Sequence, residues 1–206
     1  MEESSNPRER FARRIDDVRE YGRIAGVAEI ARRYFAMNAF DGVLTTIGVL
    51  MGNYLGDVRS PGIVVRIGIA TSIAMGVSGL WGAYLTETAE RERELAELER
   101  VSLTDLGQTK IGRASRMAVV IVAVVDGVAP ALAALIVLIP LFAASLIGNI
   151  LVSYALSLVL ALVGLFGLGM FLGRISGRGL IAYGLRTLVA GLVSIALSFV
   201  LEGVGP

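Results

Sequence analysis

The chain has 206 residues, 55% of them hydrophobic, with 25 glycines and a mean hydropathy of +0.72, more apolar than a soluble domain of this length requires. Its net charge of +1 conceals a segregation: charges crowd into residues 2–33 and 87–116 and nearly vanish elsewhere, so the balance carries no signal for nucleic acid. With neither cysteine nor histidine, disulfides, zinc-finger sites, thiol nucleophiles and imidazole bases are excluded, and any metal must be held by oxygen or thioether.

Residues 1–34 read as a cytosolic amphipathic helix. Phe11, Ile15, Val18, Gly22 and Ala25 recur at helical spacing with Arg10, Arg13, Arg14, Asp17 and Arg23 between them. Such a helix suits the surface of the cytosolic leaflet, leading into the first span, although a solvated arm without lipid contact satisfies the same pattern. The segment lacks the short apolar core and small-residue cleavage site of a secretory signal.

A spanning helix needs about 20 mostly apolar residues. Five segments meet this: 35–57, 62–86, 115–145, 148–173 and 179–202. The fold class expected is an all-α membrane protein with five transmembrane helices. Basic residues accumulate in cytosolic segments. Eight Arg precede the first span, Arg91, Arg93, Arg100, Lys110 and Arg113 follow the second, and Arg174 and Arg178 follow the fourth, whereas Arg59 stands alone in the alternate loops. The N-terminus is therefore expected in the cytosol and the C-terminus outside, in a multi-pass protein of the cell membrane.

The first span, which with the second occupies 35–86, carries Asp41. An ionised acid at the centre of a spanning helix costs about 2.5–3.5 kcal/mol, and such residues are functional by default. Asn38, Asp41, Thr45, Gly48, Gly52 and Gly56 share one helical face, and the three glycines form a doubled Gly-x-x-x-Gly pattern that admits a second backbone. If the partner is the same helix of a second subunit, a twofold axis brings two Asp41 carboxylates together as a divalent-cation or proton site. If the partner lies in the same chain, the glycines serve packing alone and Asp41 pairs with an Arg or a backbone group.

In the second span Gly68, Ser72, Met75, Gly79 and Ala83 form another small-residue face. Met75 supplies the soft donor of the pair, and an oxygen and sulfur set suits Fe²⁺ better than Mg²⁺ or Ca²⁺; as packing filler it would need no ligand. Residues 87–114 continue as a polar, acidic helix. Glu87, Glu90, Glu94 and Glu97 fall on one face, either as a cytosolic metal-collecting stripe or as a solvated face laced with pairs such as Glu87 with Arg91.

Residues 115–206 hold the last three spans. Asp126 lies in the third, and Pro130, four residues on, cannot donate to its carbonyl; Pro140 frees the carbonyl of Ile136 in the same way. Freed carbonyls and a carboxylate make Asp126 a candidate on an ion pathway, though proline kinks are often purely structural.

Taken in order, the Asp-Gly pair of the first span, "SIAMGVSGLWGAYL" in the second, its acidic continuation, and the stretch from Asp126 to Pro140 resemble the vacuolar iron transporter family over residues 30–203. The resemblance implies a homodimer whose first helices line a pathway carrying Fe²⁺, and often Mn²⁺, out of the cytosol in exchange for protons. Metal ion, protons and membrane lipid are then its partners, with no prosthetic group. It also implies that Asp41 and Met75 form the intramembrane site and that Glu87, Glu90 and Glu94 collect metal. Two features depart from the family: Ile67 stands where a glutamate is expected two turns before the methionine, and residues 87–115 are too few for the full three-helix metal-collecting domain.

An enzyme is not expected. CDP-alcohol phosphotransferases also open with Asp-Gly, but Asp126-Gly127 leads to Ala129-Pro130 and no acid follows until Glu202. A non-transporting membrane subunit and an exporter of small organic cations are the other readings, the latter poorly served by 7% aromatics and a single tryptophan, Trp81.

Overall fold

A computed structural model describes residues 26–202. Among these there is no strand, and the helices in chain order are α1 (Val27–Leu55), α2 (Pro61–Ser102), α3 (Lys110–Val137), α4 (Ile139–Phe142), α5 (Ala144–Ile147), α6 (Ile150–Ile175) and α7 (Leu180–Glu202). Five of them, α1, α2, α3, α6 and α7, are long and apolar enough to cross a membrane, which makes this an all-α, multi-pass membrane protein. Phe11, Ile15, Val18, Gly22 and Ala25 of the expected amphipathic helix lie outside the described residues.

The helix boundaries depart from the hydropathy boundaries for physical reasons. Hydropathy marks where the apolar run stops, whereas backbone hydrogen bonding continues into water. Hence α1 begins at Val27 and carries Arg32 and Arg33, and α2 runs on unbroken from its apolar part through the acidic stretch to Ser102. The third span does not continue as one helix to residue 145. It stops at Val137, and α4 and α5 follow as single turns, because Pro140 withholds the N–H that would bond to Ile136 and its ring displaces that carbonyl. Gly148, in the left-handed region at φ +73°, ends α5. The Asn149 side chain then accepts from the amides of Leu151 and Val152 and starts α6.

The described chain forms two compact units. One contains the residues up to Tyr34 with Leu80–Asp126. There the Tyr34 hydroxyl donates to Glu87 Oε1 at 3.0 Å, and Thr109 immediately precedes α3, its carbonyl accepting from the amide of Arg113.

The other unit contains Phe35–Gly79 and the residues from Gly127 onward. Its core gathers Val43, Ile47, Leu50 and Met51 of α1, Val64 of α2, Val137, Leu138 and Leu141 around the proline break, and Tyr154, Ala161 and Leu165 of α6. The Tyr154 hydroxyl, buried with its ring, donates to the Val58 carbonyl at 2.9 Å, tying α6 to the loop after α1. Helices α6 and α7 approach closely at glycines: an added Cβ on Gly169 would stand 2.7 Å from Gly184 Cα, and Thr187 Oγ1 donates to the Leu165 carbonyl at 2.8 Å. Small residues and interhelical hydrogen bonds are the means of cohesion available where lipid removes the hydrophobic drive between helices.

Candidate cation site

Within the second unit, Asn38 and Asp41 of α1, Ala74, Met75, Ser78 and Gly79 of α2, and Pro130 of α3 line one cavity of about 340 Å³. The first-helix carboxylate and the second-helix thioether singled out from sequence thus face the same space, joined by the Asn38 amide and the Ser78 hydroxyl. One carboxylate, one amide oxygen, one thioether and one hydroxyl form a mixed hard and soft donor set.

The cavity exists because two glycines let three helices converge. An added Cβ on Gly42 would stand 2.6 Å from Pro130 Cα and 2.9 Å from its carbonyl carbon, and one on Gly76 would stand 3.1 Å from the Gly127 carbonyl oxygen. Gly42 holds α1 against α3 one residue after Asp41, and Gly76 holds α2 against α3 one residue after Met75. In the sequence Gly42 stands out only as half of an Asp-Gly pair, and Gly76 carries no signal of its own. Their position next to Asp41 and Met75 is visible in the sequence, but the backbone each must admit is not.

Other candidates fall elsewhere. Thr45, a turn beyond Asp41, is half-buried and does not line the cavity. Asp126 is not among its lining residues either; it is buried at 8% exposure within the first unit, one helical turn before Pro130 on α3. Gly48 and Gly52 would meet nothing within 4 Å if given a Cβ, and Gly56, just past the end of α1, would meet only the Gly52 and Asn53 carbonyls of that helix, the nearer at 3.1 Å. In a single chain these three glycines therefore pack against no neighbouring helix. They remain exposed, as does Asp41. Gly48 and Gly52 line a second groove with Leu55, Ser198 and Leu201.

The glutamate stripe is laced with arginines. Glu87 lies 3.7 Å from Arg91 and accepts from Tyr34, Glu94 lies 3.3 Å from Arg91, and Glu97 lies 3.3 Å from Arg93. Of the four, Glu90 has no ion pair among the described residues. No three residues of the Asp, Glu, His and Cys types stand close enough among the described residues to share a metal ion. Ile67 is exposed on α2.

No family model matches the chain. It is 28% identical over 178 residues to an uncharacterized protein of Methanocaldococcus jannaschii, an alignment that covers 84% of this chain and 90% of that one. The likeness thus extends over most of both proteins.

Proposed function

We propose that this protein moves a small divalent cation, Fe²⁺ or Mn²⁺, out of the cytosol in exchange for protons, through a site that two copies of the chain complete at the cell membrane. The observation that carries the reading is the convergence of Asn38, Asp41 and Met75 on one cavity, with Asp41 and, further along the same helix, Gly48 and Gly52 exposed in a single chain. An ionised Asp41 facing lipid would cost about 2.5–3.5 kcal/mol. A second copy laid on the same face removes that cost by replacing lipid with polar groups, and its α1 can come close because Gly48 and Gly52 present no side chain.

The chemistry follows from the donor count. One carboxylate cannot neutralise a divalent ion, and the described residues of one chain offer no second acid to the cavity. Two chains related by a twofold axis supply two Asp41 carboxylates, two Asn38 carbonyl oxygens and two Met75 thioethers. The thioethers favour Fe²⁺ over hard ions. Protonation of one Asp41 from the outer side removes a negative ligand and releases the metal, which couples the two fluxes. Glu90, uncommitted to an ion pair, is the stripe residue best able to meet metal at the cytosolic mouth; Asp126 and Thr45 are pathway residues at most.

The test is binding. Titration of Fe²⁺ and Mn²⁺ into the purified full-length protein in lipid nanodiscs should give saturable binding at one metal per two chains. Asp41→Asn should abolish it, and Met75→Leu should weaken Fe²⁺ more than Mn²⁺. Undiminished binding by the Asp41 variant would refute the site, and no binding by the native protein would favour a non-transporting membrane subunit.

A further inference from the structure

The first unit carries a second groove, about 370 Å³, between α2 and the start of α3. Its lining includes Tyr84, Thr88, Arg91 and Glu92 of α2, and Arg116 and Val120 of α3. The two helices run in opposite directions here, so the groove has a membrane end, at Tyr84, Val119 and Val120, and a polar end, at Thr88, Arg91, Glu92, Ser115 and Arg116. Trp81 stands exposed one turn before Tyr84, its ring centroid 6.1 Å from that of Tyr84, and aromatic pairs of this kind sit at the headgroup level of a bilayer. From Tyr84 to Leu95 the groove follows α2 for about 16 Å at about 1.5 Å per residue, which carries it from acyl chain to water.

The charges in the polar end are not spent on one another. Arg91 is occupied by Glu87 and Glu94. Arg116 donates to the Gly107 carbonyl at 3.0 Å and has no ion pair among the described residues, and neither does Glu92. A guanidinium has five N–H donors, so Arg116 keeps most of its capacity. One uncommitted cation and one uncommitted anion in the same groove, with the Thr88, Ser115 and Tyr84 hydroxyls between apolar walls, match a ligand that itself carries both charges. We infer that this groove binds a phospholipid whose headgroup bears a phosphate and a primary ammonium, the phosphate on Arg116 and the ammonium on Glu92, with its first acyl carbons along Val119 and Val120.

A purely anionic headgroup would leave Glu92 repelled, and a quaternary ammonium has no N–H to give it. The delipidated full-length protein in detergent, titrated with phosphatidylethanolamine, phosphatidylglycerol and phosphatidylcholine of equal chain length and read by native mass spectrometry, tests this directly. Phosphatidylethanolamine should bind about tenfold more tightly than either of the others, the effect of one charge-assisted hydrogen bond. Glu92→Gln should erase that preference, Arg116→Gln should weaken all three lipids, and Arg178→Gln, on the same side of the membrane by the charge distribution, should change nothing. Val120→Trp should block binding with both charges intact, which separates an occupied groove from general surface attraction. Equal binding of the three lipids by the native chain, a preference that survives Glu92→Gln, or soluble glycerophosphoethanolamine binding as tightly as the lipid would each overturn the inference.

Discussion

Gly42→Ala is the substitution whose cost the structure defines most sharply. The added carbon would stand 2.6 Å from Pro130 Cα and 2.9 Å from its carbonyl carbon. Carbon atoms are comfortable at about 3.5–4.0 Å, so α1 and α3 must part by about 1 Å. The obstacle is the backbone of a proline within a helix, not the end of a flexible side chain, so the strain cannot be relieved by a rotamer change. Overpacking of this kind costs about 1–3 kcal/mol. Against it stands the better helix propensity of alanine, about 0.8–1.0 kcal/mol, which would hide part of the loss. Gly82→Ala removes the ambiguity: Gly82 is also interior to a helix, and its added Cβ meets nothing within 4 Å. The propensity term then cancels between the two variants, and their difference isolates the clash. Unfolding by denaturing detergent in mixed micelles should place Gly42→Ala about 1–3 kcal/mol below Gly82→Ala. Equal stability of the two would refute the close approach of α1 and α3 on which the cavity depends.

Two further outcomes follow from separate parts of the molecule. Gly48→Ala should leave the unfolding stability of the monomer unimpaired, because nothing lies within 4 Å of the added carbon, yet should weaken self-association measured by dilution in detergent; unchanged association would argue against pairing through α1. Tyr154→Phe strands the Val58 carbonyl that its hydroxyl now satisfies at 2.9 Å, and should cost about 1–3 kcal/mol in the same unfolding assay, with a negligible loss showing that lipid headgroups or water replace the bond.

The spans were legible because length and apolarity are themselves the physical requirement for crossing a bilayer, and α1, α2, α3, α6 and α7 each meet it. The acidic continuation of the second span was legible too, since Glu87, Glu90, Glu94 and Glu97 keep helical spacing and α2 carries them without a break. The division of the third span into α3, α4 and α5 was not. Both sides of Pro140 are equally apolar, so hydropathy shows no seam where the hydrogen-bond ladder fails. At the site, Asp41 stood out as an acid within an apolar helix, and Met75 only as a soft donor in a chain without cysteine or histidine. Gly42 and Gly76 did not, because a glycine's role here is to make room for Pro130 and Gly127, residues more than 50 positions away. The exposed Gly48 and Gly52 show the converse: their pattern is plain in the sequence, and a single chain gives it nothing to hold.

The most direct test of the central claim is metal flux in proteoliposomes under an imposed pH gradient, comparing the native chain with Asp41→Asn. The account predicts Fe²⁺ and Mn²⁺ movement that follows the gradient, reverses with it, and disappears in the variant. Flux that persists at the native rate in Asp41→Asn, or that ignores the direction of the gradient, would contradict it.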